Sequence, residues 1–170
     1  MIRDEIRDHK SHPRTSFQNK TPNDLELSTM AKIQKKTILF MCTHNSSRSQ
    51  MAEGLVNHFH RARWEASSAG TSATKVHPYA IMVMREVGID ISKQVSKDAN
   101  KMFGKNFDII ATLCSEAEDE CPFFIEGDEY VHKSFPDPTE AKGGEDQLIK
   151  VFRKTRDDLK AWIDEILRNQ

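Results

Sequence analysis

Thr37-Ile-Leu-Phe-Met-Cys42-Thr-His-Asn-Ser-Ser-Arg48-Ser49 is the stretch on which the fold turns. Its first half is a short continuous apolar run, the pattern of a strand buried on both faces of a parallel sheet. Its second half is a polar loop. Behind it Met51, Ala52, Leu55, Val56 and Phe59 recur at helical spacing, which predicts a helix from about Arg48 to Arg61. Strand, loop and helix thus form the opening unit.

Downstream the alternation continues. Trp64 to Ala69 reads as a second strand ending at Gly70, and Pro78 opens a helix carrying Ile81, Met84 and Val87 that Gly88 terminates. Phe107 to Leu113 is a third buried strand, and Glu129 to Lys133 a weaker fourth. Leu148, Ile149, Phe152, Leu159, Trp162, Ile163 and Ile166 mark the longest helix, from about Asp146 to Leu167, behind Gly143-Gly144. Strands alternating with helices predict an α/β fold, a parallel sheet with helices on both faces and function at the carboxyl ends of the strands.

Residues 1–34 hold few large apolar side chains (Ile2, Ile6, Phe17, Leu25, Leu27) and no sustained period. Such a composition cannot offset its ordering entropy, so a polar, disordered extension is expected before a domain over 35–170. Met30-Ala31-Lys32 offers an alternative start directly before the first strand. With 170 residues, 37% of them hydrophobic, the chain can bury a core without metals or disulfides.

The 25 Lys+Arg against 26 Asp+Glu give a net charge of -1, which makes no electrostatic case for nucleic acid or an anionic membrane as partner. No apolar run approaches the roughly 20 residues of a membrane span. The first residues, MIRDEIRDHK, are charged where a secretory signal is apolar, so a reducing cytoplasm is the expected compartment. There the three cysteines are kept for reactivity, metals or packing.

Cys42 stands at the carboxyl end of the first strand, in a C-x5-R spacing with an arginine that begins a helix. A loop of that length, here Thr43, His44, Asn45, Ser46 and Ser47, can curl so that its backbone N–H groups point into one concavity, and the helix N-terminus adds partial positive charge. Arg48 can fork onto two oxygens of a tetrahedral oxyanion. The same field is expected to lower the Cys42 thiol from the free value of roughly 8.5 to about 4–7. Ser49 can donate to the sulfur, and Asn45 tolerates the left-handed backbone of a tight loop.

Cys114 and Cys121 flank Ser-Glu-Ala-Glu-Asp-Glu, a run of good helix formers. In a helix their Cα atoms would stand about 10 Å apart, beyond the roughly 7 Å limit of a disulfide, so a bond between them requires the segment to unwind. Two ordinary packed cysteines are the alternative. No C-x2-C or H-x3-H spacing accompanies them and the histidines are scattered, so no metal site is expected. Asp137 lies between two prolines in the loop after the fourth strand. It is either a turn residue or, at the same sheet edge as Cys42, an acid able to protonate a leaving oxygen.

The segment from Ile38 to Gly54 resembles the active-site segment of thioredoxin-coupled arsenate reductases, which share a fold with low-molecular-weight protein tyrosine phosphatases. The likeness continues through Ser68-Ala-Gly70, Ala111-Thr-Leu-Cys114, Glu120-Cys-Pro122 and Asp137-Pro138, covering residues 37 to about 167. It implies a four-stranded parallel sheet flanked by helices, and arsenate as substrate. It also implies a relay in which Cys114 attacks arsenylated Cys42 and Cys121 then takes Cys114 into a second disulfide. Electrons come from thioredoxin, with no bound cofactor.

The phosphatases are the second reading, with the same Cys42, Arg48 and Asp137 and with water as second nucleophile. They commonly place aromatic residues after the Asp-Pro, where this chain has Thr139-Glu140. Some of the reductases hold a monovalent cation beside the loop through Asn, Glu, Ser and Asp. Asn45, Glu53 and Ser68 match the first three and Lys97 falls in the last place, which implies an ammonium substituting for the cation.

Overall fold

The computed structural model describes residues 34–114, 125–168 and 170. Residues 1–33 of the polar extension with its alternative start, the helix former run 115–120, and Cys121 lie outside the described residues. The strands are β1 (Lys36–Cys42), β2 (Trp64–Gly70), β3 (Asn106–Thr112) and β4 (Glu126–His132). The helices are α1 (Arg48–Phe59), α2 (Pro78–Glu86) and α3 (Glu145–Arg168), with short 3-10 turns at Ala99–Met102 and Pro138–Glu140.

The strands form one sheet in the order β2-β1-β3-β4. All pairs are parallel, and the register sets Cys42 beside Gly70, Met41 beside Thr112, and Thr112 beside His132. Parallel register is what gathers these strand ends onto one edge. A strand must be apolar on both sides to lie centrally in such a sheet, and Ile38, Leu39, Phe40 and Met41 of β1 are all fully buried. Ile38, Phe40 and Cys42 pack into a cluster to which α1, α2 and α3 contribute. Leu39 and Met41 face the other way, against Ile110, Ile125, and Ala99 and Met102 of the first 3-10 turn. Helical segments therefore cover both faces, as expected. Each fully buried aliphatic or aromatic side chain contributes about 1.5–3 kcal/mol.

Helix boundaries follow their local chemistry. Pro78 starts α2, and His77 Nδ1 accepts from the Tyr79 N–H to cap it. Gly88, at φ +80°, closes the far end with its N–H on the Arg85 carbonyl. α3 begins and ends within one residue of the sequence reading, because its buried stripe of Phe152, Leu159, Trp162, Ile163 and Leu167 fixes it. Arg156 on the same stripe reaches the Val83 carbonyl at 2.7 Å and Glu86 at 3.2 Å, joining α3 to α2.

β4 begins at Glu126, three residues earlier than the sequence indicates. It is the edge strand, exposed along most of its length, so no buried apolar run reports its start. Among the described residues no helix is long and apolar enough to cross a membrane.

Candidate active site

The loop Thr43–Ser47 curls at the carboxyl end of β1, and a neighbouring segment shapes it. The N–H groups of Ser72, Thr74 and His77 donate to the carbonyls of Thr43, His44 and Ser46 at 2.8, 3.1 and 2.9 Å. These bonds draw three of the loop's carbonyls to one side, which leaves its N–H groups able to meet an anion on the other. Asn45 adopts φ +45°, the left-handed conformation expected of it. Its side chain makes three hydrogen bonds. Oδ1 accepts from Gln50 Nε2 at 2.8 Å and from the Lys97 N–H at 2.7 Å, and Nδ2 donates to Ser49 Oγ at 2.8 Å.

That last bond orients the next one. Ser49 Oγ accepts from Asn45, so its own proton is free for Cys42 Sγ, 2.9 Å away. The expected depression of the Cys42 thiol is corrected by the structure. Cys42 is only 2% exposed. Burial pushes the thiol up, and this exceeds the opposing pull of the Ser49 hydroxyl, the Ser49 and Asn45 backbone and the Arg48 charge. Much of the Arg48 charge is directed elsewhere. Its Nη2 is 2.6 Å from Asp137 Oδ2 and its Nη1 donates to the Phe135 carbonyl at 2.9 Å. The guanidinium expected to fork onto an oxyanion here grips the loop that carries the candidate acid.

Asp137 reaches the site because residues after β4 keep pairing with the end of β3. The Lys133 N–H donates to the Thr112 carbonyl and the Phe135 N–H to the Leu113 carbonyl. Phe135 then anchors the loop by packing edge-on against Trp162 of α3, with centroids 5.6 Å apart. Asp137 caps the 3-10 turn, its Oδ1 accepting from the Thr139 N–H at 2.9 Å and the Thr139 hydroxyl at 2.7 Å.

A cavity of about 360 Å³ opens between these parts, lined by Thr43, His44, Arg48, Cys114, Asp137 and Glu140 among others. Cys114, buried just beyond β3, approaches the loop through its sulfur, 3.4 Å from the Thr43 hydroxyl. The sequence-predicted Cys42, Arg48, Ser49, Cys114 and Asp137 thus converge on one edge. Asn45 and Ser47 of the loop and Ser49 behind it are buried, and His44 is exposed. Cys121 lies outside the described residues. Beneath the loop Lys97 Nζ is 3.0 Å from Glu53 Oε2, which also accepts from the Ser68 hydroxyl. The lysine ammonium thus meets Glu53, the carboxylate that Ser68 also binds, while the Lys97 backbone N–H holds Asn45.

Two contributors were not singled out from sequence. His77 holds the loop by its N–H, stacks on Phe152 at 4.8 Å, and is lowered by burial against the opposing pull of Asp137. The signal for it was its place directly before Pro78, where a helix cap is needed. Thr139 was noted only as a non-aromatic residue, and its two bonds to Asp137 appear only in the folded loop.

Fold, phosphate-type loop, arginine and facing acid define a class. The chain belongs to the family of low molecular weight phosphotyrosine protein phosphatases, whose sequence model matches residues 37–170. Within it the chain is 42% identical over 127 residues to the arsenate reductase of Halalkalibacterium halodurans, covering 75% of this chain and 91% of that one. It is 39% identical over 127 residues to the arsenate reductase of Bacillus subtilis, with the same coverage. A solved arsenate reductase in the phosphate binding state superposes with a TM-score of 0.69 at 30% identity, covering 79% of this chain and 98% of that one. A low molecular weight protein tyrosine phosphatase from T. tengcongensis gives 0.65 at 25%, covering 80% and 100%.

Proposed function

We propose that the protein reduces arsenate to arsenite in the cytoplasm, with electrons from thioredoxin and no bound cofactor. The observation that carries this reading is Cys114, buried against the same loop that holds Cys42. Phosphomonoester hydrolysis has no use for a second thiol there, whereas reduction needs one. The arsenate reductases at about 40% identity support the same choice.

The cradle N–H groups and Arg48 hold a tetrahedral oxyanion over Cys42. The buried thiol gives up its proton to an oxygen of the bound oxyanion as sulfur attacks arsenic, with Ser49 stabilising the developing thiolate. Asp137 protonates the departing oxygen, water leaves, and a Cys42 thioarsenate remains. Cys114 sulfur then attacks Cys42 sulfur. The S–As bond breaks, its electron pair passes to arsenic, and arsenite departs as a Cys42–Cys114 disulfide forms. Cys121 attacks Cys114, regenerating the Cys42 thiol and leaving a Cys114–Cys121 disulfide for thioredoxin to reduce. Such a relay operates in a compartment whose thiols are kept reduced.

The test is arsenate-dependent NADPH oxidation with thioredoxin and thioredoxin reductase, run beside phosphatase turnover on an aryl phosphate. Robust coupled oxidation with weak phosphatase activity is expected. The reverse ratio would assign the chain to the phosphatases.

A further inference from the structure

Gln50, the third residue of α1, is fully buried beside the 43–47 loop. Its Nε2 meets three acceptors, the Asn45 carbonyl at 3.1 Å, Asn45 Oδ1 at 2.8 Å and the Val95 carbonyl at 3.1 Å. These neighbours fix the orientation of the amide. Two are main-chain carbonyls, and the third also takes the Lys97 N–H and so must be an oxygen. At its other end the amide is unsatisfied, with Oε1 buried and without a hydrogen-bond partner among the described residues. An amide oxygen left in that way costs about 1–3 kcal/mol, which an apolar side chain of the same length would avoid. What the glutamine supplies in return is its nitrogen.

That nitrogen starts a chain of donors that ends on sulfur. Gln50 Nε2 donates to Asn45 Oδ1, and Asn45 Nδ2 donates to Ser49 Oγ at 2.8 Å. The Ser49 hydroxyl, its oxygen already accepting, donates to Cys42 Sγ at 2.9 Å. Every bond in the chain points the same way. A donor on an amide oxygen draws electron density from the N–H groups of that amide and makes them stronger donors, and the effect passes along successive bonds. Gln50, Asn45 and Ser49 are each 0% exposed, so water competes at none of them. Gln50 also holds the main-chain carbonyl of Asn45, the residue at φ +45° on whose conformation the direction of Nδ2 depends.

We propose that Gln50 is a positioning residue for the Cys42 thiolate, acting on the sulfur through Asn45 and Ser49. It orients the Asn45 amide and polarises it, and the serine hydroxyl delivers both effects to the sulfur. The inference deepens the proposed function and rests on Cys42 as its nucleophile. It is independent of the identity of the oxyanion and of the thiol relay.

The sulfur is read directly, by the pH dependence of Cys42 alkylation with iodoacetamide in the reduced full chain. Around the loop Arg48 of α1, His44, Cys114, Asp137 and Glu140 of the cavity, His77 before α2 and the Lys97–Glu53 pair carry charge or titrate. All of them are kept in every alkylation variant. Gln50→Met preserves the length of the side chain and removes the donor. It is expected to move the midpoint of the profile up by about 0.3–0.6 pH unit. The decisive comparison is made in Ser49→Ala, where the chain is already cut, and there Gln50→Met is expected to add nothing. In the wild type the side-chain carbonyl NMR resonances of Gln50 and Asn45 are expected to shift with the Cys42 midpoint, and to stay still in Cys42→Ser.

An unmoved profile in Gln50→Met overturns the proposal. So does a shift of the same size in the Ser49→Ala background, which would send the influence through the loop backbone instead. If Gln50→Met does not fold, the resonances decide, and a Gln50 signal that stays still while Cys42 ionises overturns the proposal. Arsenate and aryl phosphate turnover undiminished in Cys42→Ser would overturn the nucleophile reading rather than the chain of donors. Absence of thioredoxin-coupled turnover in the wild type would overturn only the proposed reduction.

Discussion

Lys97 Nζ stands 3.0 Å from Glu53 Oε2, joining two side chains 44 residues apart beneath the 43–47 loop. The same lysine fixes the loop by its backbone N–H on Asn45 Oδ1. A positive charge thereby stands against Glu53, one of the residues the sequence resemblance matches to a monovalent-cation ligand. Turnover is expected to be indifferent to potassium at constant ionic strength, so activation by potassium over sodium would contradict this assignment. Lys97→Met leaves a largely buried carboxylate without its partner and is expected to cost about 1–3 kcal/mol, read as a lower melting temperature.

The buried Cys42 thiol has a measurable pH signature. Because burial raises it above its ordinary value, alkylation of Cys42 by iodoacetamide should begin at higher pH than for a free thiol, as mass spectrometry of the modified peptide would show. Ser49→Ala removes an opposing hydrogen bond and should slow alkylation at a given pH by about threefold to tenfold. The sign for stability follows. A thiol held protonated in the folded chain contributes stability that is fully present below the unfolded value of about 8.5 and is lost as pH rises toward the folded one. Denaturant midpoints of the wild type should fall over that interval more steeply than those of Cys42→Ser.

The three cysteines should separate by role. Cys42→Ser should abolish arsenate reduction and phosphatase activity together, since a serine hydroxyl is not ionised near neutral pH. Cys114→Ser and Cys121→Ser should bind phosphate and retain any phosphatase turnover but lose thioredoxin-coupled reduction by at least about a hundredfold. Cys121→Ser treated with arsenate should accumulate a Cys42–Cys114 disulfide, visible as a cross-linked peptide. Full coupled turnover by either single variant would refute the relay.

Gly70 is expected to tolerate no side chain. A Cβ there would meet the Thr43 carbonyl at 2.6 Å and the Asn45 N at 2.7 Å, both backbone atoms of the loop. Gly70→Ala should displace the loop, cost about 1–3 kcal/mol and weaken phosphate binding far more than the melting temperature suggests. Calorimetry with phosphate beside a thermal melt measures the two effects.

Cys42, Arg48 and the order of elements were legible in the chain because their signals are local. An apolar run must be a buried strand, and a polar loop between it and an amphipathic helix must place Cys42 and Arg48 at that strand's carboxyl end. Asn45 was legible for the same reason, as the backbone conformation it adopts depends on its own residue type. What the sequence could not settle depended on distance in space. The start of β4 was misplaced because an edge strand carries no buried run.

The thiol of Cys42 was misjudged because local charge pointed one way while burial, which only packing creates, pointed the other. The pairing of Arg48 with Asp137 joins residues 89 apart. The shaping of the loop by Ser72, Thr74 and His77 likewise arises only once β1, β2 and α2 are assembled. Sequence determines which groups a local backbone can present. Burial and long-range pairing decide which protonation state and which partner each of them takes, because desolvation and Coulomb energy depend on neighbours that the chain brings together only by folding.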